Sequence, residues 1–595
     1  MEERTRPEGA VMPETGTANG QTTDRPVGAQ PAYTAKPVQP FRATRLQLGA
    51  AVYSYLLGWF YFCGLVLGMP LQPFSDWCTG SMNPAVLGGF CALFFGGAEF
   101  FLRRSGRKAP AESWWWMGFA GLLLADILLL RPLFGRVGYW QGGYSFGFYD
   151  WEVFALHLAA MYWLVCRAGL LTGGGRTGCF APLDALACLF GRPFYWFFLR
   201  LRVVWYGLKR TWARLRAARK QRKRDVMGAV LALCLLVPLF CLALILLAGA
   251  DAGFANLLEN FARLLTVPEW LAGRLLLFVA SLPVGAYLYG ALGSTMRQKP
   301  DPEKQSRWLA ALNRQRCLPQ SVMILGLAAF CALYLVFFAV QAGYLFGGFF
   351  GHLPAGFTAA EYARKGFFEL CAVAVLNFGL LLASTGLSKG EPTRNLLLRA
   401  LTAALMAANL LLAVVGASKM ALYVTRFGVT GNRILSSWFM LVLAVVSVLA
   451  LLSLFRPLDW IRMGTFAAAG LFVVLCLCQP TLLAYRANLA LYETGVVNQL
   501  DPWTLRQQAA GKSDYTLARD LTEAGWGVGE SPETVMQAVQ GFSAGNELHY
   551  GWSALGQRIA WIKLSGGPEG GPWTLSMILD ESGETVTALE LMAQT

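Results

Sequence analysis

Long apolar runs alternate along the chain with short, polar, cation-rich interruptions. A helix crossing a bilayer needs about 20 apolar residues. Runs of that kind occupy 47–69, 84–102, 113–131, 151–172, 227–249, 269–293, 319–343, 366–386, 395–416, 434–455 and 461–480. The pattern predicts an all-α polytopic membrane helical bundle of about 11 transmembrane helices over residues 41–480. Residues 1–40 are polar and rich in Pro, Gly and Thr, which predicts a disordered N-terminal tail. The first apolar run lies too far behind them for a cleaved signal peptide and reads as a retained helix.

After residue 480 the texture changes. In Leu500-Asp501-Pro502-Trp503 an N-capping aspartate precedes a proline at the first helical position, and Ser531-Pro532-Glu533 repeats the device. Beyond residue 553 the pattern is strand-like. Apolar stretches at 573–579 and 585–591 flank Asp580-Glu581-Ser582-Gly583-Glu584, a hairpin turn. Residues 481–595 are therefore expected to form a small C-terminal α+β extramembrane region, helical first and then a β-hairpin.

Composition agrees with a membrane class: 55% of residues are hydrophobic, 14% are charged, and the mean hydropathy is +0.45. Soluble domains carry about 25% charged residues. The net charge of +15 does not point to nucleic acid, because the cations lie in short runs beside apolar spans. With the N-terminus inside, the inner segments hold 29 Lys and Arg and the outer loops 8. A cytoplasmic N-terminus follows, and an odd number of spans places the C-terminal region outside. That region carries 13 acids and 6 bases.

The stretch 194–224 opens with bulky aromatics and closes with eleven Lys or Arg between 200 and 224. Such a helix lies in the inner headgroup layer, where each cation contributes about 1 kcal/mol of attraction to anionic lipid headgroups. It is expected to serve as a topology anchor or, alternatively, as a regulatory lipid sensor or a nucleic-acid contact.

Thirteen cysteines are scattered without a C-x-x-C, and three histidines stand far apart. Neither a disulfide framework nor a metal site is expected, and no cofactor is implied. No P-loop, H-E-x-x-H or G-x-S-x-G is visible. No residue is nominated as catalytic.

Ionisable groups inside spans are the next candidates. Glu99 lies four residues before Arg103 and is expected to pair with it along the helix. Arg167 and Arg399 are near inner span ends and can snorkel. Asp126 has no local partner at helical spacing. His157 and Arg274 lie at similar depth in neighbouring spans, so Asp126 is expected to pair with one of them, as a proton relay or as an interhelical hydrogen bond.

Residues 421–438, ALYVTRFGVTGNRILSSW, place Tyr423, Arg426 and Arg433 around a glycine break between two spans. A guanidinium grips phosphate or carboxylate with two parallel hydrogen bonds. The two arginines are expected to hold an anionic ligand at the outer surface or to dock the C-terminal region through acids such as Glu493 and Asp501.

Tyr423, Gly428, Thr430 and Arg433, with Asn488, Tyr492, Leu500 and Asp501 after the last span, carry a resemblance. Over roughly 320–525 the chain resembles an uncharacterised bacterial membrane family, domain of unknown function 4173, with its close relative 4153. The resemblance implies a bacterial cell-membrane protein and supplies no activity. The expected function is a non-enzymatic transport, sensing or envelope-associated module. The alternative is a membrane enzyme acting on a lipid-linked substrate, for which the first outer loop offers one acid, Asp76.

Overall fold

The structure is a computed structural model that describes residues 41–62, 84–130, 148–218, 236, 269–341, 359–389, 395–497, 500–509, 512–541, 547–568, 571 and 573–593. Its helices are α1 (Arg45–Trp59), α2 (Pro84–Arg104), α3 (Glu112–Ala125), α4 (Phe148–Arg167), α5 (Ala181–Leu186), α6 (Arg192–Tyr195), α7 (Leu199–Ala218), α8 (Glu269–Arg297), α9 (Lys304–Arg314) and α10 (Gln320–Gln341). Then come α11 (Ala359–Gly386), α12 (Leu396–Phe427), α13 (Gly431–Ser453), α14 (Trp460–Leu477), α15 (Pro480–Glu493), α16 (Pro502–Gln508), α17 (Asp514–Glu523) and α18 (Pro532–Gln540). A four-stranded sheet closes the chain.

Among the described residues, eight helices are long and apolar enough to cross a membrane: α2, α3 with its extension to Leu130, and α8 and α10–α14 in whole or part. These are the helices of a membrane-embedded protein. The expected number of about eleven is not confirmed among the described residues. The run at 47–69 is described as helix only in its first part, α1. The run at 151–172 is α4, which carries Asp150, Glu152 and Arg167 and falls outside the eight. The runs at 227–249 and the tail at 1–40 lie outside the described residues, apart from Leu236.

Small residues set the closest helix contacts. A Cβ built on Gly58 of α1 would stand 2.6 Å from the Gly285 Cα of α8, so the two backbones touch. A chain of side chains ties four helices together in the apolar layer. Tyr334 of α10 donates to Asn377 of α11 (2.6 Å), Asn377 to Asn409 of α12 (3.1 Å), and Asn409 to Ser447 of α13 (2.9 Å). Each amide is buried, and its partners offset the loss of water.

Helix α12 has 32 residues. At about 1.5 Å per residue it exceeds the ~30 Å apolar layer of a bilayer by more than three turns. It continues past residue 416 to Phe427, where the hairpin with α13 begins.

The C-terminal region has its own core. Leu505, Leu517, Leu521, Val535 and Val539 from the helices, with Trp526 from the turn between α17 and α18, meet Ala560, Ile562, Leu575 and Met577 from the sheet. The strands β1 (His549–Trp552), β2 (Arg558–Leu564), β3 (Trp573–Leu579) and β4 (Val586–Ala593) form an antiparallel meander in sequence order. The register pairs Ala560 with Met577 and Ile562 with Leu575, so one face is apolar and covered by helices. The expected hairpin is thus half of a larger sheet. Its turn is closed by Asp580, whose carboxylate accepts from the Gly583 and Glu584 amides and the Thr585 hydroxyl. Hydrogen bonds from the Thr585 and Ser582 hydroxyls, with the Thr585 and Gly583 amides, hold the Asp580 carboxyl well below the usual carboxylate range.

Candidate docking joint between the hairpin and the C-terminal region

The helix break at residues 428–431 is built residue by residue. Gly428 ends α12 in the left-handed region at φ 73°. Thr430 caps α13 and accepts from the Arg433 amide. Arg433 turns back over the break. Its guanidinium donates to the Phe427 carbonyl at 2.7 Å and to the Gly428 carbonyl, and it stacks 4.0 Å above the Tyr423 ring. A cation at a helix C-terminus satisfies carbonyls that the helix leaves open.

The main chain of Val429 is left at the tip, and the C-terminal region takes hold of it there. Asn488 of α15 accepts from the Val429 N–H at 2.5 Å and donates to the Val429 carbonyl at 2.8 Å. Gln508 of α16 donates to the same carbonyl at 2.8 Å, and Asn488 donates to Gln508 at 2.8 Å. A Cβ on Gly428 would lie 2.6 Å from Asn488 Oδ1, so the close approach requires glycine on steric grounds as well as for its φ.

Of the residues singled out in the sequence, Asn488 makes the contact with the hairpin, and Tyr423, Gly428, Thr430 and Arg433 build the helix break that it meets. Arg426 is exposed on the last turn of α12. Glu493 is exposed at the end of α15, and Asp501 caps α16 by accepting from the Thr504 amide and hydroxyl. The docking is made by neutral amides on a main chain rather than by arginine–carboxylate pairs.

The intramembrane candidates are placed differently from the expected pairing. Asp126 is buried in a π-helical turn, Asp126–Leu130, that ends α3, and it accepts from the Gln479 side chain. His157 bonds the Tyr287 hydroxyl at 3.1 Å, and Tyr287 donates to the Leu189 carbonyl. His157 is therefore not the hydrogen-bonding partner of Asp126. The Arg274 side chain lies outside the described residues. Gln479 stands between α14 and α15 at φ 49°, alone among the described non-glycine residues in having positive φ. Its signal in the sequence is the following Pro480, which disfavours continuation of the helix.

A second polar cluster lies at the opposite end, where α2 and α4 finish and α14 begins. Arg167 is buried and donates to both oxygens of Glu99 at 2.8 and 2.9 Å. It does not snorkel, and the Glu99–Arg103 pair gains a third member. Buried Glu112 accepts from the Thr177 amide at 2.6 Å and pairs with Arg462 at 2.9 Å. Buried Asp184 accepts from the amide and hydroxyl of Thr172. These groups hold the glycine-rich loop 173–178, which has no apolar period to betray it in the sequence.

A family model described as a domain of unknown function, DUF4153, matches residues 142–513. That is the close relative named in the resemblance. The match begins in the N-terminal half and so includes α4–α9 besides the residues that carried it. No curated protein and no solved structure matches the chain.

Proposed function

The chain belongs to the DUF4153 family, and from its geometry we propose that it is a non-enzymatic, multi-pass sensing module of a cell membrane. Its C-terminal α+β region is the receiving part and its helical domain the responding part. The observation that carries this reading is that α15 is pinned near both ends to different transmembrane elements. Gln479, just before it, holds Asp126 at the end of α3, and Asn488, in its third turn, holds the α12–α13 hairpin. A displacement of the C-terminal region is thereby delivered to two helices at once. The N-terminus is cytoplasmic and the C-terminal region extracytoplasmic in this reading. It is supported by the excess of Lys and Arg in the segments at the end away from the joint.

Amide hydrogen exchange on the full chain tests the coupling. Asn488→Ala is expected to raise exchange at residues 480–509 and also at residues 120–130. In a Gln479→Ala background, Asn488→Ala is expected to leave 120–130 unchanged. Exchange at 120–130 that ignores Asn488 in the parent protein would overturn the reading. Reporter fusions at residues 40 and 595 test the orientation, with cytoplasmic signal expected at the first site alone.

A further inference from the structure

Helix α7 presents three distinct faces. Leu199, Arg200, Val203 and Gly207 are buried against α1 and α8. Leu201, Trp205, Leu208 and Trp212 recur at helical spacing on a second face and are 42–71% exposed. Arg202 and Lys209, seven residues apart and so on one face, are exposed beside that stripe.

The helix is fixed in place from within. Arg200 reaches into the protein, donates to the Leu282 carbonyl at 2.6 Å and lies 4.2 Å above the Tyr55 ring. A Cβ on Gly207 would meet Leu48, in the first turn of α1, at 2.7 Å. One on Gly290, near the end of α8, would meet the Pro193 carbonyl at 2.3 Å. The segment is thus laid across the ends of α1 and α8 that carry Arg45 and Arg297, at the edge of the apolar layer.

We propose that this outer surface of α7 is a binding site for anionic phospholipid. The Leu and Trp stripe lies along the acyl chains, and Arg202 and Lys209 meet the phosphate and the headgroup charge. An apolar stripe directly beside a cationic one fits a molecule with a tail next to an anion. A zwitterionic lipid would satisfy the stripe and leave the cations without a net counter-charge.

Native mass spectrometry of the full chain taken from nanodiscs of equimolar phosphatidylglycerol and phosphatidylcholine tests this. Both leaflets carry the same lipid, so the result does not depend on which end is cytoplasmic or on whether the C-terminal region senses anything. The parent protein is expected to retain phosphatidylglycerol preferentially. Arg202→Gln with Lys209→Gln is expected to reduce that preference roughly fivefold or more, given the usual strength of one cation near an anionic surface. Trp205→Ala is expected to lower retention of both lipids without changing their ratio. Arg104→Gln with Arg314→Gln, which removes two exposed cations elsewhere at the same end, is expected to change nothing. An unchanged preference in the Arg202 and Lys209 variant, or an equal loss in the Arg104 and Arg314 variant, would overturn the proposal.

Discussion

Asn488 holds Val429 by both main-chain groups at once, accepting from its N–H at 2.5 Å and donating to its carbonyl at 2.8 Å. A side-chain amide offers the same donor and acceptor pair as a backbone peptide, so it can stand in for a neighbouring strand where none is present. Asn488 is 2% exposed, and Gln508 takes part of the remaining capacity. A buried amide that lost this partner would keep its desolvation penalty uncompensated.

The joint makes its two glycines unequal. Gly428→Ala introduces strain at φ 73° and a contact of 2.6 Å with Asn488, whereas a Cβ on Gly431 meets only Phe148 at an ordinary 3.8 Å. Gly428→Ala is expected to lower stability by about 1–3 kcal/mol and to open residues 480–593 to protease. Gly431→Ala is expected to stay within about 0.5 kcal/mol. Thermal unfolding in detergent with limited proteolysis checks both. Equal behaviour of the two variants would refute the steric account.

The two hairpin arginines should separate in the same way. Arg433→Lys keeps the charge but loses the planar guanidinium that stacks on Tyr423 while its Nη1 donates to both carbonyls. A loss of about 1–2 kcal/mol is expected. Exposed Arg426→Ala is expected to be nearly silent in the same melting experiment.

Asp126 tests the second attachment of α15. Asp126→Leu removes the acceptor for Gln479. A loss of about 0.6–2 kcal/mol is expected for such a bond between membrane helices. Asp126→Asn keeps an acceptor oxygen and should recover most of the melting temperature. A leucine variant as stable as the parent would show that this contact does not hold α3 to the α14–α15 junction.

Acid should act on the C-terminal region through Asp520. Burial works to raise its pKa, but hydrogen bonds from Lys512 and Arg519, the nearby Lys512 charge and the Tyr485 hydroxyl outweigh it and hold the carboxyl below its ordinary value. A carboxyl whose folded-state pKa is depressed stabilises the fold above its unfolded value of about 3.9. That stabilisation is lost as pH falls through the lower folded-state value. Chemical unfolding between pH 7 and pH 3 should therefore show stability declining at the acid end. Asp520→Asn should flatten the decline, and a parallel shift at all pH values would argue for packing instead.

The sequence by itself determined the membrane class, the eight described helices long and apolar enough to cross a bilayer, the break at Gly428 and the starts of the two C-terminal helices after Asp501 and Ser531. Each of these is decided locally. An apolar run of sufficient length has no other low-energy place than the bilayer, and glycine, proline and capping side chains act on their own turn. The caps at Asp501 and Ser531 behave as written for that reason. The tertiary structure alone decided the partners of polar side chains. Asp126 met Gln479, more than three hundred positions away, and Arg167 met Glu99 across two helices. Spacing along the chain ranks groups by depth and cannot say which helices become neighbours. The same holds for Val429, whose side chain is unremarkable in the sequence. Its importance lies in a peptide group exposed at the tip of a long helix and claimed by two amides that arrive from the C-terminal region.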